Sequence, residues 1–518
     1  MTARLAGYLR LHARACGALA VVALAAAGGD AALAQPFPAV AEADAGAAAS
    51  IAGDTGFEPV APGAARLDLR LDGGAVVDVA VAYDGAHSLK LEADGSGAAR
   101  ATLHFPATQV DGDRQRFSLQ AAAADGEVLD LFVRIDGRDG LLYVDRIRAP
   151  LAADGAEWTH VALETPVFER AASTRLSVSL ERGTAWLDAL SVDGVSTAAL
   201  PPASARAGRY VDYALRLIDS HSIYRAALDW PAFRSAVVAQ ARGADTEADA
   251  HLAVRYALGA LGDVHAYLRQ AERAEVLGAA PVSNARTGRP PIPPEGLRLA
   301  GGIAYLTVPG FAGGTHMQQV EFAETLQSMI ASLDDEPLGT CGWIVDLRRN
   351  SGGNLWPMLL GLGPLLGDGD AVFATYPDGR RETVWYRNGQ AGLGDFARLR
   401  VRSEPHRLRD PAASVAVLLG ADTASAAEVL AMAFRGLDGR RSFGASTDGV
   451  NSGTRTFVLP DGAELVLSVV TMSDRTGHAY RGPMQPDVAV EPTPRGVPLA
   501  EQRVVGAAVD WLAGRCGS

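Results

Sequence analysis

The sequence predicts a multidomain protein with an N-terminal β-sandwich, a helical region and a C-terminal α/β domain. Three patterns along the 518-residue chain support this order. Polar and apolar residues alternate between residues 57 and 194, as in antiparallel strands with one solvated face. Apolar residues then recur at helical spacing up to about residue 274. From residue 297 onwards, strand-like and helix-like segments alternate, as they do in parallel sheets covered by helices.

The first 34 residues have the features of a signal peptide rather than of a folded segment. Arginines before residue 15 form a basic start, residues 15–28 are apolar, and residues 32–34 read Ala-Leu-Ala, a small-residue cleavage signal. We expect cleavage after Ala34 and a periplasmic or secreted protein. The apolar stretch is too short for a membrane-spanning helix, and no later segment is long and apolar enough, so no transmembrane segment is predicted.

The charge balance and the cysteine content exclude several classes of function. The chain has a formal net charge of −13 and no basic run, which argues against nucleic acid or anionic membrane as a partner. Outside the leader the cysteines are Cys341 and Cys516. These form a disulfide in an oxidising compartment or, equally consistent with the sequence, remain two separate thiols. Because no Cys/His cluster has metal-ligand spacing, we predict no metal site and no cofactor.

The first folded region is expected to be an all-β module. Residues 35–56 are rich in small residues and predict a linker, and the sandwich module follows at residues 57–200. Clear alternating runs lie at residues 65–71, 129–135 and 174–180, with a last strand at residues 185–192. The module resembles the jelly-roll modules of the galactose-binding type, some of which bind sugars. Trp158 and Trp186 are candidate sugar platforms, although core packing is the favoured interpretation for both.

The remaining chain divides into a helical part and an α/β part. A helical cap subdomain is predicted at residues 209–275 and a Pro/Gly-rich loop at residues 276–296. The last domain spans residues 297–512, and its predicted strands and helices alternate. The strands lie at residues 302–308, 342–347, 415–420, 456–459 and 464–472, and the helices at residues 320–333 and 426–437. This alternation predicts a largely parallel sheet with helices on both faces.

Ser425 is the most informative residue of this domain, because it lies between a predicted buried strand and a predicted apolar helix. At a helix N-terminus, the helix dipole and the free backbone N–H groups favour negative charge. A nucleophilic serine and the oxyanion that it generates need that environment. The alternative is a structural capping box, since Ser425 and Glu428 have the Ser-x-x-Glu spacing that closes many helix N-termini.

Two further segments contain residue types that complete such a site. Gly352 and Gly353 follow the predicted strand at residues 342–347, and glycines let a turn approach a ligand with its N–H groups facing inwards. This suits an oxyanion hole, although a plain turn explains the two glycines almost as well. His265 is a candidate general base, because an imidazole has an ordinary pKa of about 6.5. A lone histidine is more often a surface or capping residue.

Together, these segments resemble the C-terminal processing (tail-specific) peptidase family of serine peptidases. The resemblance covers about residues 209–490 and is carried by three segments, at residues 345–353, 423–428 and 482–488. It implies a core of the ClpP/crotonase type beside a helical cap, with Ser425 as the nucleophile. It also implies an oxyanion hole formed by the amide of Ala426 with that of Gly352 or Gly353.

The resemblance is incomplete at the catalytic base. Members with a Ser–Lys dyad have a lysine where this chain has Val450, and no lysine follows Ser425 here. The segment around His265 is similar instead to the tricorn branch of the family, in which a histidine activates the serine. The resemblance therefore implies that His265 is the base.

The acid that would orient His265 is left open by the sequence. Asp474 is the nearest acidic residue to the family's position, and it has an alternative role as a turn residue paired with Arg475 or a neighbour. Asp263 lies two residues from His265 and is a second candidate. Asp474 is retained with Ser425 and His265 as a predicted catalytic residue.

The expected function is that of an exported serine-type peptidase acting on protein or peptide substrates. The chain between His265 and residue 297 is too short for the PDZ domain that usually binds substrate C-termini in this family, so none is predicted. The alternative is a catalytically dead core that serves as a binding protein, with a carbohydrate- or cell-wall-binding sandwich. An acyl-transferring, crotonase-like enzyme is disfavoured, because no nucleotide-binding motif is present.

Overall fold

The computed structural model describes residues 49–52, 66–269 and 292–516, with short gaps at residues 79–80, 83–86, 95–97, 107–111, 125, 139, 153–156, 312, 336–338 and 495. The predicted signal peptide lies outside the described residues. Within these ranges the chain forms two compact units. The N-terminal unit contains the described residues up to 269 and Thr456–Val469, and the C-terminal unit contains residues 292–455 and 470–516. No helix of the described ranges has the length and hydropathy of a membrane span.

Antiparallel strands make up most of the N-terminal unit. They are β1 (Ala49–Ala52), β2 (Arg66–Asp72), β3 (Ala75–Asp78), β4 (Ser88–Ala93), β5 (Ala99–Pro106), β6 (Arg114–Ala123), β7 (Val128–Gly137), β8 (Gly140–Pro150), β9 (Thr159–Pro166), β10 (Ala171–Leu180) and β11 (Gly183–Val195). One sheet has the order β1-β2-β5-β10-β7-β8 and the other the order β3-β4-β11-β6-β9. The N-terminal region is therefore β-rich.

The two sheets share one hydrophobic core, because alternate residues of each strand point inwards. In β6, Phe117 and Leu119 are almost fully buried, and in β7, Leu131 and Val133 are buried in the same cluster. One expectation is wrong at the edge of the first sheet. Residues 49–52, which fall in the predicted linker, form β1 and pair with β2. Backbone pairing at a sheet edge depends little on side-chain propensity, so the Ala-rich composition hides this strand.

Three helices and a short strand follow the sandwich. They are α1 (Ala205–His221), α2 (Trp230–Gln240), α3 (His251–Leu261) and β12 (Tyr267–Arg269). The last described helix of this region ends at Leu261, and residues 270–275 of the predicted helical cap lie outside the described residues. Gly262 caps α3 in the left-handed conformation, with φ of +75°, and β12 then pairs with residues 464–466. Most of the predicted loop at residues 276–296 lies outside the described residues.

A six-stranded sheet forms the centre of the C-terminal unit. The elements from residue 292 onwards are β13 (Glu295–Leu299), β14 (Ile303–Thr307), α4 (His316–Asp334), β15 (Gly342–Asp346), α5 (Leu355–Gly361), α6 (Gly363–Leu366), β16 (Gly369–Thr375), β17 (Arg381–Arg387), β18 (Gln390–Leu393), β19 (Phe396–Arg400), β20 (Ser414–Leu419), α7 (Ala426–Phe434), β21 (Arg440–Gly444), β22 (Gly453–Val458), β23 (Glu464–Asp474), β24 (Val488–Ala489) and α8 (Arg503–Cys516). Residues 456–469, in β22 and β23, belong to the N-terminal unit. The sheet order is β13-β14-β15-β20-β21-β24, and it is parallel from β14 to β24. Its edge strand β13 is antiparallel. β13 begins at Glu295, inside the predicted loop.

A second, antiparallel sheet in the C-terminal unit is not predicted by the sequence. Strands β16 to β19 form a meander, and β16 pairs with residues 471–474 of β23. These strands escape a pattern search because they are interrupted by register shifts and carry several charged, exposed residues, such as Arg381 and Arg387. Strand periodicity is weak wherever bulges shift the alternation.

The C-terminal helix is joined to the parallel sheet by packing and by a covalent bond. Ala508 and Leu512 of α8 are fully buried in a cluster with Ile344 of β15 and Phe443 of β21. At the end of α8, Cys516 forms a disulfide with Cys341, with the two Cα atoms 5.2 Å apart. The structure thus selects the disulfide from the two alternatives that the sequence leaves open.

Candidate functional site

The site is built on two neighbouring parallel strands, β15 and β20. Asp346 at the end of β15 is in register with Leu418 of β20, so the turns that follow the two strands leave the same edge of the sheet. Thr423 joins these turns. Its hydroxyl donates to the carbonyl of Leu347 (2.9 Å) and accepts the N–H of Gly420 (3.0 Å). The turn that contains Ser425 is therefore fixed against the end of β15.

Ser425 adopts a backbone conformation that side chains rarely occupy. Its φ and ψ are +55° and −119°, a combination that costs roughly 1–3 kcal/mol for a residue other than glycine. Ser425 is partly exposed, whereas its neighbours Ala424 and Ala426 are buried. The sharp turn therefore presents the serine side chain at the N-terminus of α7.

Glu428 binds the backbone of this turn. The N–H of Ser425 donates to one carboxylate oxygen of Glu428 (3.0 Å), and the N–H of Glu428 donates to the carbonyl of Ser425 (2.9 Å). The Ser-x-x-Glu spacing thus closes the helix terminus through the glutamate side chain. Glu428 is fully buried. Burial raises its pKa to about 7, although hydrogen bonds from Thr447, Ser425 and Gly449 favour the charged form.

The glycine turn after β15 touches the serine turn. Gly352 and Gly353 have φ values of +97° and +104°. A Cβ atom on Gly352 would lie 2.8 Å from Cβ of Ser425 and 2.8 Å from the carbonyl oxygen of Ala424. This close approach excludes any side chain at position 352.

The two glycine amides differ in their partners. The N–H of Gly352 donates to the side-chain oxygen of Asn350 (2.9 Å). No acceptor in the described part of the chain takes the N–H of Gly353, so of the two amides this is the one available to a ligand. Asn350, which sequence reasoning misses, is fully buried. The side-chain amide of Asn350 also donates to the carbonyl of Val308, and the backbone carbonyl of Asn350 accepts the N–H of Ala424.

His265 lies in a loop of the N-terminal unit that is held by a buried carboxylate. Asp263 accepts the backbone N–H of His265 (3.1 Å), the hydroxyl of Ser468 (2.7 Å) and the N–H of Ser468 (3.0 Å). Burial raises the pKa of Asp263 above its ordinary value. The loop is thereby attached to β23. Since His265 belongs to the N-terminal unit and Ser425 to the C-terminal unit, their pairing stays a prediction.

Asp474 binds the turn that follows β23. It accepts the N–H and the hydroxyl of Thr476 (2.9 and 2.6 Å), the N–H of His478 (3.1 Å) and the hydroxyl of Tyr480 (2.7 Å). Burial alone would raise the pKa of Asp474, but these hydrogen bonds outweigh it and lower the pKa. These contacts fit the alternative interpretation from the sequence, in which Asp474 is a turn residue. Arg475 donates instead to the carbonyls of Asp370 and Ala433.

The loop that contains Val450 packs against Glu428. The N–H of Gly449 (3.1 Å), the side-chain amide of Asn451 (3.4 Å) and the hydroxyl of Thr447 all donate to the second carboxylate oxygen of Glu428. The Pro-Asp segment at residues 482–488 supports the other end of α7. Asp487 accepts the N–H and the hydroxyl of Ser442 (2.7 and 2.8 Å) and forms an ion pair with Arg435, which follows α7.

Trp186 lies on the outward face of the five-stranded sheet, and Trp158 directly precedes strand β9 of that sheet. Trp186 is between the buried Ala185 and Leu187 in β11, and its indole N–H donates to Asp78 (2.8 Å). Trp186 pairs with Ala122 of β6, and Trp158 directly precedes Thr159 of β9, which pairs with Ala121 of β6. Both side chains are partly exposed. Core packing, the favoured interpretation for both tryptophans, is therefore wrong for Trp186 and stays a prediction for Trp158.

The comparisons with known proteins agree with the strand and turn pattern of the C-terminal unit. Residues 302–490 match the model of peptidase family S41. The chain therefore contains a peptidase family S41 domain, preceded by a β-rich region.

Individual relatives match parts of the chain. The Nisin-resistance protein of Lactococcus lactis subsp. lactis is 27% identical over 281 residues, which are 54% of this chain and 82% of that protein. The solved structure of a lipoprotein from Streptococcus agalactiae has a TM-score of 0.47 and 24% identity, over 60% of this chain and 98% of its own. The CBM22-1 xylan-binding domain from Paenibacillus barcinonensis Xyn10C has a TM-score of 0.22 and 20% identity, over 28% of this chain and 97% of its own.

Proposed function

We propose that this protein is an exported serine peptidase whose nucleophile is Ser425. The observation that carries the proposal is the conformation of Ser425, which is strained, partly exposed and located at the N-terminus of α7 beside a glycine turn. In this mechanism the Ser425 hydroxyl oxygen forms a bond to the substrate carbonyl carbon, and His265 takes the hydroxyl proton. His265 then returns that proton to the leaving amine as the peptide bond breaks. Water releases the acyl group in a second step.

The oxyanion of the tetrahedral intermediate needs donors that are not bonded elsewhere. The amides of Gly353 and Ala426 fill this role best, because the Gly352 amide is bonded to Asn350. Each such donor contributes on the order of 100-fold or more in rate. In the proposed site Gly352 provides the close approach of the two turns. Asp263 supports the loop of His265 through its backbone, and Asp474 is better explained as a turn residue.

The decisive experiment compares two serines at helix N-termini. Ser425→Ala should abolish hydrolysis of casein and peptides and labelling by a fluorophosphonate probe, with little change in melting temperature. Ser204 is the matched control, because its side chain accepts the N–H of Ala207 at the start of α1. Ser204→Ala should cost about 1 kcal/mol of stability and keep the activity. Full turnover in Ser425→Ala would exclude this serine as the nucleophile.

The proposed base is tested in the same way. His265→Gln should lower kcat by about 10²–10⁴-fold, because proton transfer from the serine loses its acceptor. His251, which is bonded to Asp461 (2.7 Å), is the control histidine. His251→Gln should lower the stability of the N-terminal unit while the rate stays within a few-fold. Nisin belongs among the substrates tried, since a similar protein from Lactococcus lactis is named for resistance to it.

Export of the protein is proposed from the leader pattern and is supported by the disulfide between Cys341 and Cys516. Disulfides persist in oxidising compartments and are rare in the cytosol. N-terminal sequencing of the protein recovered from the periplasm or the medium should start at Gln35. A full-length protein in the cytosol, with both thiols reduced, would contradict export.

A second candidate function is carbohydrate binding by the sandwich, either beside a peptidase or on a catalytically dead core. Trp186 lies on β11 and Trp158 directly precedes β9, and β6 separates these two strands, so in the proposed site the two backbones are about 10 Å apart, two strand spacings. Paired aromatic faces of this kind stack on sugar rings. Trp186→Ala should release the protein from insoluble polysaccharide, whereas Trp230→Ala on α2 should not. Equal retention of both variants would exclude a sugar site at these residues. Absence of labelling at Ser425 with retained binding would favour the dead core.

A further inference from the structure

Glu428 has more partners than closing a helix requires. One of its carboxylate oxygens accepts the N–H of Ser425. The other accepts donors from the loop at residues 447–451, namely the hydroxyl of Thr447, the N–H of Gly449 and the side-chain amide of Asn451. A helix cap needs the first of these contacts only. The second set ties the serine turn to a loop that lies some twenty residues further along the chain.

We infer that Glu428 is a positioning residue for Ser425, holding the serine turn with one carboxylate oxygen and the loop at residues 447–451 with the other. The inference rests on the proposed role of Ser425 as the nucleophile. It assigns to Glu428 no contact with the substrate and no proton transfer.

The conformation of Ser425 is the reason that such support is needed. A residue other than glycine persists at φ of +55° and ψ of −119° only when its surroundings fix it there. The Glu428 carboxylate contributes by accepting the N–H of Ser425, and the Ser425 carbonyl accepts the N–H groups of Glu428 and Val429. If the carboxylate no longer accepts that N–H, the peptide unit before Ser425 can rotate. The direction of the side chain then changes.

A charged side chain at this position is costly, which points to a role beyond packing. Glu428 is fully buried, and α7 is otherwise lined by apolar residues such as Val429 and Leu430. A neutral, shape-matched glutamine would avoid the desolvation of a carboxylate. It would also place an NH₂ group against either the N–H of Ser425 or the N–H of Gly449 and the amide of Asn451. Only the ionised carboxylate, the form that prevails above a pH of about 7, accepts on both sides at once.

The loop at residues 447–451 corresponds to the turn that supplies the lysine in the Ser–Lys members of the resembling family. In this chain it supplies hydrogen-bond donors to Glu428. Thr447 extends the network further, because its hydroxyl oxygen accepts the N–H of Met484 (2.8 Å). Asn451 also donates to the carbonyl of Gly482 (2.7 Å). The Pro-Asp segment, the loop and the serine turn are thereby connected through one carboxylate.

The test measures the kinetics of Glu428→Gln in the full chain. We expect kcat and the rate of fluorophosphonate labelling at Ser425 to fall by about 10-fold to 100-fold, with KM within about twofold, because a displaced nucleophile slows the chemical step. A purely structural glutamate would change the melting temperature without this split between kcat and KM. Glu324→Gln is the control, since Glu324 pairs with Arg402 on the surface of the same unit. It should leave both rates unchanged.

A second variant decides the matter if Glu428→Gln does not fold. Thr447→Val removes one donor to Glu428 and should lower kcat, and Thr447→Ser, which keeps the hydroxyl, should lose less. Unchanged kcat in a folded Glu428→Gln, or in Thr447→Val, would overturn the positioning role and leave the peptidase proposal intact. If the wild-type chain is neither labelled nor active, the proposed function fails and the positioning role fails with it.

Discussion

Two turns in the C-terminal unit both contain residues at positive φ, but they use different residue types at those positions. Each follows a strand of the parallel sheet, β15 or β20, and each leads into a helix, α5 or α7. The first turn places Gly352 and Gly353 at positive φ, where glycine has no steric penalty. The second turn places Ser425 at positive φ, where a side chain is strained. The strained residue is the one proposed as the nucleophile.

The contrast separates residues required by the backbone from a residue required by its side chain. Glycine at position 425 would relieve the strain, so the serine there is not explained by folding. Glycine at position 352 is explained by folding and by the close approach to Ser425. The two turns also differ in support. The neutral side-chain amide of Asn350 accepts an N–H of the glycine turn, whereas the buried carboxylate of Glu428 accepts the N–H of Ser425 in the serine turn.

The largest effect is expected when the glycine turn is given a side chain. Gly352→Ala should lower kcat at least about 100-fold, because its methyl group would push against Ser425 and the carbonyl of Ala424 at 2.8 Å. The matched control is Gly379, which has φ of +85° and no atom within 4 Å of the position that a methyl group would take. Gly379→Ala should cost about 1 kcal/mol from the backbone alone and leave the rate unchanged.

Equal rates in Gly352→Ala and Gly379→Ala would contradict the packing of the two turns in the active enzyme. Chemical denaturation should accompany the kinetic assays, so that a loss of folded protein is not mistaken for a loss of rate. A normal rate together with a large loss of stability would assign Gly352 to the fold alone.

The next effect concerns the buried carboxylate of Glu428, which supports the serine turn and has no counterpart at the glycine turn. The pKa of Glu428 is raised to about 7, chiefly by burial and also by the charge of Asp448, from an ordinary value of 4.5. The folded protein therefore holds the proton more tightly than the unfolded chain between these two values. Stability from this group is present at pH below about 4.5 and is lost as the pH rises to about 7. The full difference is on the order of 3 kcal/mol.

This prediction is checked by denaturation at pH 5 and pH 8 in the wild type and in Glu428→Gln. The wild type should lose more stability between the two values than the variant, which cannot titrate at this position. Parallel losses in the two proteins would show that Glu428 ionises near its ordinary pKa. The same variant should be slower in catalysis than the wild type, although it loses less stability than the wild type between pH 5 and pH 8.

The elements that carry the site were accessible from sequence because their signals are local. The strands β15 and β20 are uninterrupted apolar runs, α7 has apolar residues at helical spacing, and each strand ends at a turn with a distinctive residue type. The expected strand and helix positions lie within a few residues of those observed. The Ser-x-x-Glu spacing of Ser425 and Glu428 is also visible in the sequence, where it indicates for Glu428 only a helix cap.

The features that sequence missed depend on contacts between distant residues. Asn350 looks like any turn residue until its side chain is seen bonded to Val308 and Gly352. The second set of partners of Glu428 lies in a loop whose path no periodicity predicts. The pairing of Cys341 with Cys516 required a distance between Cα atoms, and the outward position of Trp186 required the register of β11.

The smallest effect is on stability at Ser425 itself. Ser425→Gly removes the side chain from a strained position, and relief of roughly 1–3 kcal/mol exceeds the added flexibility of glycine in the unfolded chain, roughly 0.5–1 kcal/mol. The variant should be inactive and more stable than the wild type by about 1 kcal/mol, a rise in melting temperature of about 2–4 °C. Ser425→Ala is the matched control, because it removes the hydroxyl and keeps the strain. The two inactive variants should therefore differ in melting temperature. A Ser425→Gly protein no more stable than Ser425→Ala would show that the serine turn is relaxed, and the contrast with the glycine turn would lose its physical basis.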